Sequence, residues 1–83
     1  SLMTKLTKTE QLVVSILDTS PLKTASSITL REGGIYSVSQ TVGRLRDKGA
    51  IISVVRKATY DNKTGELHNN IAHYCLEGWC NHE

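Results

Sequence analysis

His73, Cys75, Cys80 and His82 place four soft or borderline metal ligands within ten residues, in the order H-x-C-x4-C-x-H. Such a set can chelate zinc. Its spacing matches none of the common C-x2-C frameworks, however. Strand alternation also opposes it: if Tyr74 and Leu76 pack inward, His73 and Cys75 turn to the opposite, solvent-facing side. The plain reading is two unrelated reduced thiols and no cofactor, with zinc on His73, Cys75, Cys80 and His82 as the alternative. A Cys75–Cys80 disulfide is not expected in a reducing compartment. Catalysis has less to draw on. His68, His73 and His82 lack a motif-like nucleophile partner, no carboxylates pair at acid–base spacing, and Thr64-Gly65 reads as a turn rather than a phosphate cradle. An enzyme is not expected.

The remaining chemistry is cationic. Between Arg44 and Lys63 lie six cations (Arg44, Arg46, Lys48, Arg56, Lys57 and Lys63) against Asp47 and Asp61. Beyond Lys63 only carboxylates and three His follow, so a net charge of +2 is concentrated in one part of the chain. A contiguous basic stretch serves either a polyanionic partner or a solvated surface, and its location in the fold decides which.

The elements that must position these groups can be read from periodicity and caps. Thr7-Lys8-Thr9-Glu10 fits a capping box, and Leu12, Val13, Ile16 and Leu17 form one apolar stripe after it. A first helix is expected over about residues 8–18. Ser20-Pro21 reads as an N-cap followed by proline at the first helical position, predicting a short second helix over about 21–29. Gly33-Gly34 ends it, within a glycine-rich loop from Leu30 to Tyr36. Ser37-Val38-Ser39-Gln40 reads as a second capping box, opening a third helix over about 37–48 that buries Val38, Val42 and Leu45 and closes at Gly49. On that register Ser37, Gln40, Thr41 and Arg44 lie on other faces, while Arg46 and Lys48 in the last turn favour the helix dipole. Gly43 stands mid-helix at a cost of about 1 kcal/mol relative to Ala. Ile51 to Val55 reads as a strand, Asp61 to Gly65 as a turn, and Asn70 to Leu76 as the returning strand.

At 83 residues the chain forms one domain at most, with a core of Leu, Ile and Val because it contains no Phe. Such a domain presents a surface more readily than a deep cleft. Ser1 and Leu2 precede Met3 and read as a vector-derived remnant, as Glu83 can be. Residues 1–6 are then a lead-in, 7–79 the domain and 80–83 a tail. No apolar run approaches the roughly 18 residues of a membrane span, so no membrane partner is expected and the cytoplasm is the default location. Trp79, the single Trp, reads as a lid on the core or as the anchor of a homodimer.

The stretch Ser37-Val38-Ser39-Gln40-Thr41-Val42-Gly43-Arg44-Leu45-Arg46-Asp47-Lys48-Gly49-Ala50-Ile51 resembles the recognition helix of bacterial winged helix-turn-helix regulators, with their pattern T-V-S-R-x-L-x-R-L-x-x-K-G-L-I. Tyr74-Cys75-Leu76 sits where such domains often carry Y-x-L. The resemblance covers roughly Thr7 to Leu76. It implies an α+β winged helix-turn-helix fold, three helices followed by a two-stranded β-hairpin wing, and double-stranded DNA as partner. It also implies roles. Gln40 would pair with adenine and Arg44 with guanine in the major groove, and Tyr36, Ser37 and Ser39 would donate to phosphates at the helix start. Arg56, Lys57 and Lys63 would lie along the backbone in the wing, although Arg56 and Lys57 point to opposite strand faces. With four to six phosphates neutralised, log K is expected to fall against log[salt] with a slope of roughly −4 to −5. A small, phage- or plasmid-like transcription regulator occupying an operator is the expected function. A winged helix serving as a protein-interaction module in a replication or transcription assembly is the alternative, and a regulator sensing metal through the His/Cys cluster is a third reading.

Overall fold

A computed structural model describes residues 5–80. The expected remnant at Ser1 and Leu2, together with His82 and Glu83, lies outside the described residues. The architecture of the described residues is α+β: three α-helices and an antiparallel sheet of three strands. The helices are α1 (Lys8–Thr19), α2 (Ser27–Glu32) and α3 (Val38–Asp47), and the strands are β1 (Thr24–Ser26), β2 (Ala50–Tyr60) and β3 (Leu67–Trp79). In the sheet the order is β1-β3-β2.

α1 starts as its sequence dictates. Thr7 Oγ1 accepts from the Glu10 amide at 3.2 Å, and Glu10 Oε1 accepts from the Thr7 amide at 3.0 Å. Val13 and Leu17 are fully buried from its inner stripe. They share one core with Leu30, Ile35, Val42 and Leu45 on the helical side, and Ile52, Ala72, Tyr74 and Leu76 on the sheet. Trp79 packs partly buried against this core. No helix among the described residues is long and apolar enough to cross a membrane.

The expected second helix over 21–29 does not form. Pro21–Lys23 make only a 3-10 turn, in which Leu22 and Lys23 adopt positive φ (55° and 52°). Thr24–Ser26 then extend and pair with β3, Thr24 opposite Cys75 and Ser26 opposite His73. The sheet therefore has a third strand where a two-stranded hairpin was expected. Ser and Thr gain little from helix and readily bond to the local backbone, so the unpaired edge of β3 decides the conformation. The helix begins instead at Ser26, whose Oγ accepts from the Thr29 amide at 3.1 Å. Ser20 Oγ donates back to the Ile16 carbonyl at 2.6 Å as the C-cap of α1, and makes no N-cap bond to the 3-10 turn. Ser26→Ala is accordingly expected to lower stability by about 1 kcal/mol, read by urea unfolding.

α2 runs through Glu32, so its connection to α3 is residues 33–37, shorter than the loop expected from Leu30. β2 and β3 extend beyond their expected limits because each supplies the other's ladder bonds. Their register puts Ile52, Val54 and Arg56 on the helix-facing side with Leu76, Tyr74 and Ala72. Ser53, Val55 and Lys57 share the other face with Cys75, His73 and Ile71. The hairpin closes as its residue types predict, with Asp61 Oδ1 accepting from the Lys63 amide at 2.8 Å. A register shift between Lys57 and Thr59, with Asn70 at φ 61°, marks an irregularity in the distal ladder.

Candidate nucleic-acid interface

α3 buries Val38, Thr41, Val42 and Leu45 and exposes Ser39, Gln40, Arg44 and Asp47. Thr41 was expected away from the core. Its Oγ1 donates to the Ser37 carbonyl at 2.7 Å; that bond satisfies the hydroxyl and lets the methyl pack inward. The second capping box is absent. Ser37, at φ −120° and ψ 84°, makes no side-chain cap bond. The Ser37 hydroxyl and the exposed Gln40 amide are therefore not consumed by helix capping, and Tyr36 just before them is 97% exposed.

The helix start faces a cleft of about 270 Å³. Tyr36, Ser37 and Ser39 line it from the α3 side, Arg31 from the last turn of α2, and Arg56 with Asn70 from the hairpin. Arg56 Nη1 donates to the Asn70 carbonyl at 3.3 Å. A helix N-terminus carries positive dipole charge and unpaired amides. Beside two guanidinium groups and several hydroxyls, it makes a setting suited to an anionic oxygen. Sequence reasoning missed Arg31. Nothing local distinguishes it, and only the packing of α2 against β3 brings it to the start of α3.

The other cations of the basic run divide. Arg46 Nε and Nη2 donate to the Ile52 carbonyl at 3.1 and 2.7 Å, tying the end of α3 to β2. Lys48 Nζ donates to Glu10 Oε1 at 2.6 Å and to the Lys5 carbonyl at 3.0 Å. Both side chains thus serve the fold through specific bonds. Arg44 stays exposed on the flank of α3, close enough for its charge to act on Glu10. Burial pushes the Glu10 carboxyl up, but hydrogen bonds from Lys48 and the Thr7 amide, and the charges of Lys48 and Arg44, outweigh it. The net effect holds the carboxyl below its ordinary value.

Lys57 and Lys63 do not join the cleft. Lys57 lies on the opposite sheet face beside His73, and Lys63 occupies the hairpin turn. Burial, then the Lys57 charge, lowers the His73 pKa. The ring is held by Thr59, whose Oγ1 lies 2.6 Å from His73 Nε2.

Among the described residues no group of His, Cys, Asp or Glu is assembled that could hold a metal. Tyr74 and Leu76 are buried, and His73 and Cys75 stand half-buried on the other face. Cys75 Sγ donates to the Leu22 carbonyl at 3.6 Å, and both cysteines are free thiols.

Comparison with protein-family models, curated proteins and solved structures finds no match to this chain.

Proposed function

We propose that the chain is a winged helix-turn-helix domain that binds double-stranded DNA in a sequence-specific manner as a small transcription regulator. In this reading α3 enters the major groove, with Gln40 and Arg44 addressing base edges. The start of α3, Arg31 and Arg56 take phosphate oxygens. One observation carries the reading: Tyr36, Ser37, Ser39, Arg31 and Arg56, drawn from two helices, the connection between them and a strand, line one cleft at the head of an exposed helix face. The short connection between α2 and α3, with a hairpin directly after α3, supports it. Lys57 and Lys63 supply at most diffuse attraction, so fewer phosphates are engaged than the run of cations alone implies.

The test is fluorescence polarisation with labelled duplexes at two or more salt concentrations. The wild-type chain is expected to bind in a salt-sensitive manner. Arg31→Ala with Arg56→Ala removes two phosphate contacts and should lower the magnitude of the log–log salt slope by about 2. Arg44→Ala should weaken preference for one site by about tenfold while leaving the slope nearly unchanged. Salt-insensitive or absent duplex binding by the wild type sinks the reading, as does a double variant indistinguishable from it.

A second reading has its own observation. Among the described residues β2 pairs only with β3, and Ile51, Val54 and Val55 are exposed along it. An outer strand with exposed β-branched side chains can accept a strand from another protein or a second copy of the chain. A winged-helix interaction module in a replication or transcription assembly would use this edge. It predicts that a charge at Val55 (Val55→Lys) abolishes association and spares any duplex binding.

A further inference from the structure

Gly43 lies in the middle of α3, three residues after Gln40 and four before Asp47. Positions three and four apart are neighbours on a helix surface. The outer side of α3 therefore carries one stripe made of an amide, a patch of bare backbone and a carboxylate, with Gln40 and Asp47 exposed and Gly43 half-buried between them. Glycine in a helix interior weakens the helix, and a domain of this length has little stability to spare. Such a residue calls for a reason.

The described residues offer none. A Cβ built at Gly43 meets nothing within 4 Å, so packing does not demand its absence. The residue is not among those at positive φ, so the backbone does not demand it either. It lies inside the helix rather than at a cap. What remains is an approach from outside. The flanking Asp47 narrows the choice of what approaches: a carboxylate repels phosphate oxygens but accepts a hydrogen bond from the cytosine amino group, as Gln40 can pair with adenine.

We propose that Gly43 is the notch through which α3 makes its closest approach to the floor of the DNA major groove. A base edge, with the thymine methyl as the group of matching size, sits against the bare backbone between Gln40 and Asp47. The proposal rests on the DNA-binding reading above and adds one point of contact to those at Gln40 and Arg44. The cleft with Arg31 and Arg56 addresses the phosphates, and the Gln40–Gly43–Asp47 stripe, with Arg44 beside it, addresses the bases.

The experiment uses the full chain and a duplex recovered from a random pool by selection with the wild type. Gly43→Ala is expected to raise Tm by about 5 °C, because the helix gains an alanine without a clash. It should also weaken binding to the selected duplex about tenfold or more, because the methyl fills the notch. Gly43→Ser should weaken binding similarly with a smaller gain in Tm. Gly78→Ala, whose Cβ is equally unobstructed, should leave the affinity unchanged. Binding to unselected duplex should change little in all three, since that term comes from phosphates. If the wild type recovers no duplex, the DNA-binding reading falls and this proposal with it. If the wild type selects a duplex and Gly43→Ala binds it equally well, the notch alone is overturned.

Discussion

Lys48→Met is expected to lower folding stability by about 3 kcal/mol at pH 7, with a fall in Tm of about 15 °C, and the deficit should narrow as the solution is acidified. Glu10 is 1% exposed. Its Oε1 accepts from both the Thr7 amide and Lys48 Nζ, while its Oε2 is buried with no hydrogen-bond donor among the described residues. The carboxylate is thus tolerated only because Lys48 stands 2.6 Å away. Removing the amine leaves a buried charge with the Thr7 amide and the more distant Arg44. The converse change is milder. Glu10→Gln keeps an acceptor for the capping box and leaves a lysine whose side chain, already 34% exposed, can turn to water. It should cost about 1 kcal/mol, within the range of one lost hydrogen bond.

The sign of the pH effect follows from linkage. In the wild type the folded pKa of Glu10 lies below its ordinary value of 4.5. Its contribution is complete above that value and is lost as pH falls through the folded pKa, because the unfolded chain then binds the proton more readily. In Lys48→Met the folded pKa rises, so the carboxyl is neutralised sooner on acidification and the penalty for burying its charge disappears. Chemical unfolding of both proteins between pH 7 and pH 3 should show the two stabilities converging. A pH-independent gap would mean that the lysine acts through packing rather than charge.

Gly49→Ala should be nearly as damaging, at about 3 kcal/mol. Gly49 has φ +106°, where an L side chain is strained. A Cβ there would lie 2.8 Å from the Cys80 carbonyl oxygen. That atom is backbone and cannot swing aside. The Cys80 amide donates to the Gly49 carbonyl at 2.6 Å, and the bond closes the sheet just beyond the Ala50–Trp79 pair. Relieving the clash therefore loosens the end of β3 and the seat of Trp79. Gly33 is an instructive control. Its Cβ would approach Ile16 Cδ1 to 2.6 Å, but that is the far end of a flexible side chain, and φ is an ordinary −78°. Gly33→Ala should cost well under half as much, and near-equal losses in thermal unfolding would overturn the account of Gly49.

Where the sequence spoke plainly, local chemistry was self-sufficient. Thr7 and Glu10 satisfy each other within one turn, and the third helix is bounded by an apolar stripe and by Gly49. Asp61 needs only its own neighbours to make the hairpin turn. Reading failed where a distant partner overruled local preference. Ser20-Pro21 has the look of a helix start, yet the free edge of β3 draws Thr24–Ser26 into a strand. Ser37 and Gln40 have the spacing of a capping box, yet Ser37 is held outside the required backbone geometry.

The candidate site divides along the same line. Tyr36, Ser37, Ser39, Gln40 and Arg44 are consecutive or one helical turn apart, so a periodic pattern is enough to place them near one another. Arg31 and Arg56 are separated by the whole of α3 and part of β2, and no short-range rule relates them. The same holds for Lys48, which reads as a dipole partner until Glu10 is seen beside it, and for Lys57, which strand pairing turns away from the cleft. Hydrogen bonds and apolar stripes within a few residues are written in the order of the side chains. Which cations become surface and which become struts depends on where packing brings a carboxylate, a carbonyl or a helix end, and that is a property of the folded chain.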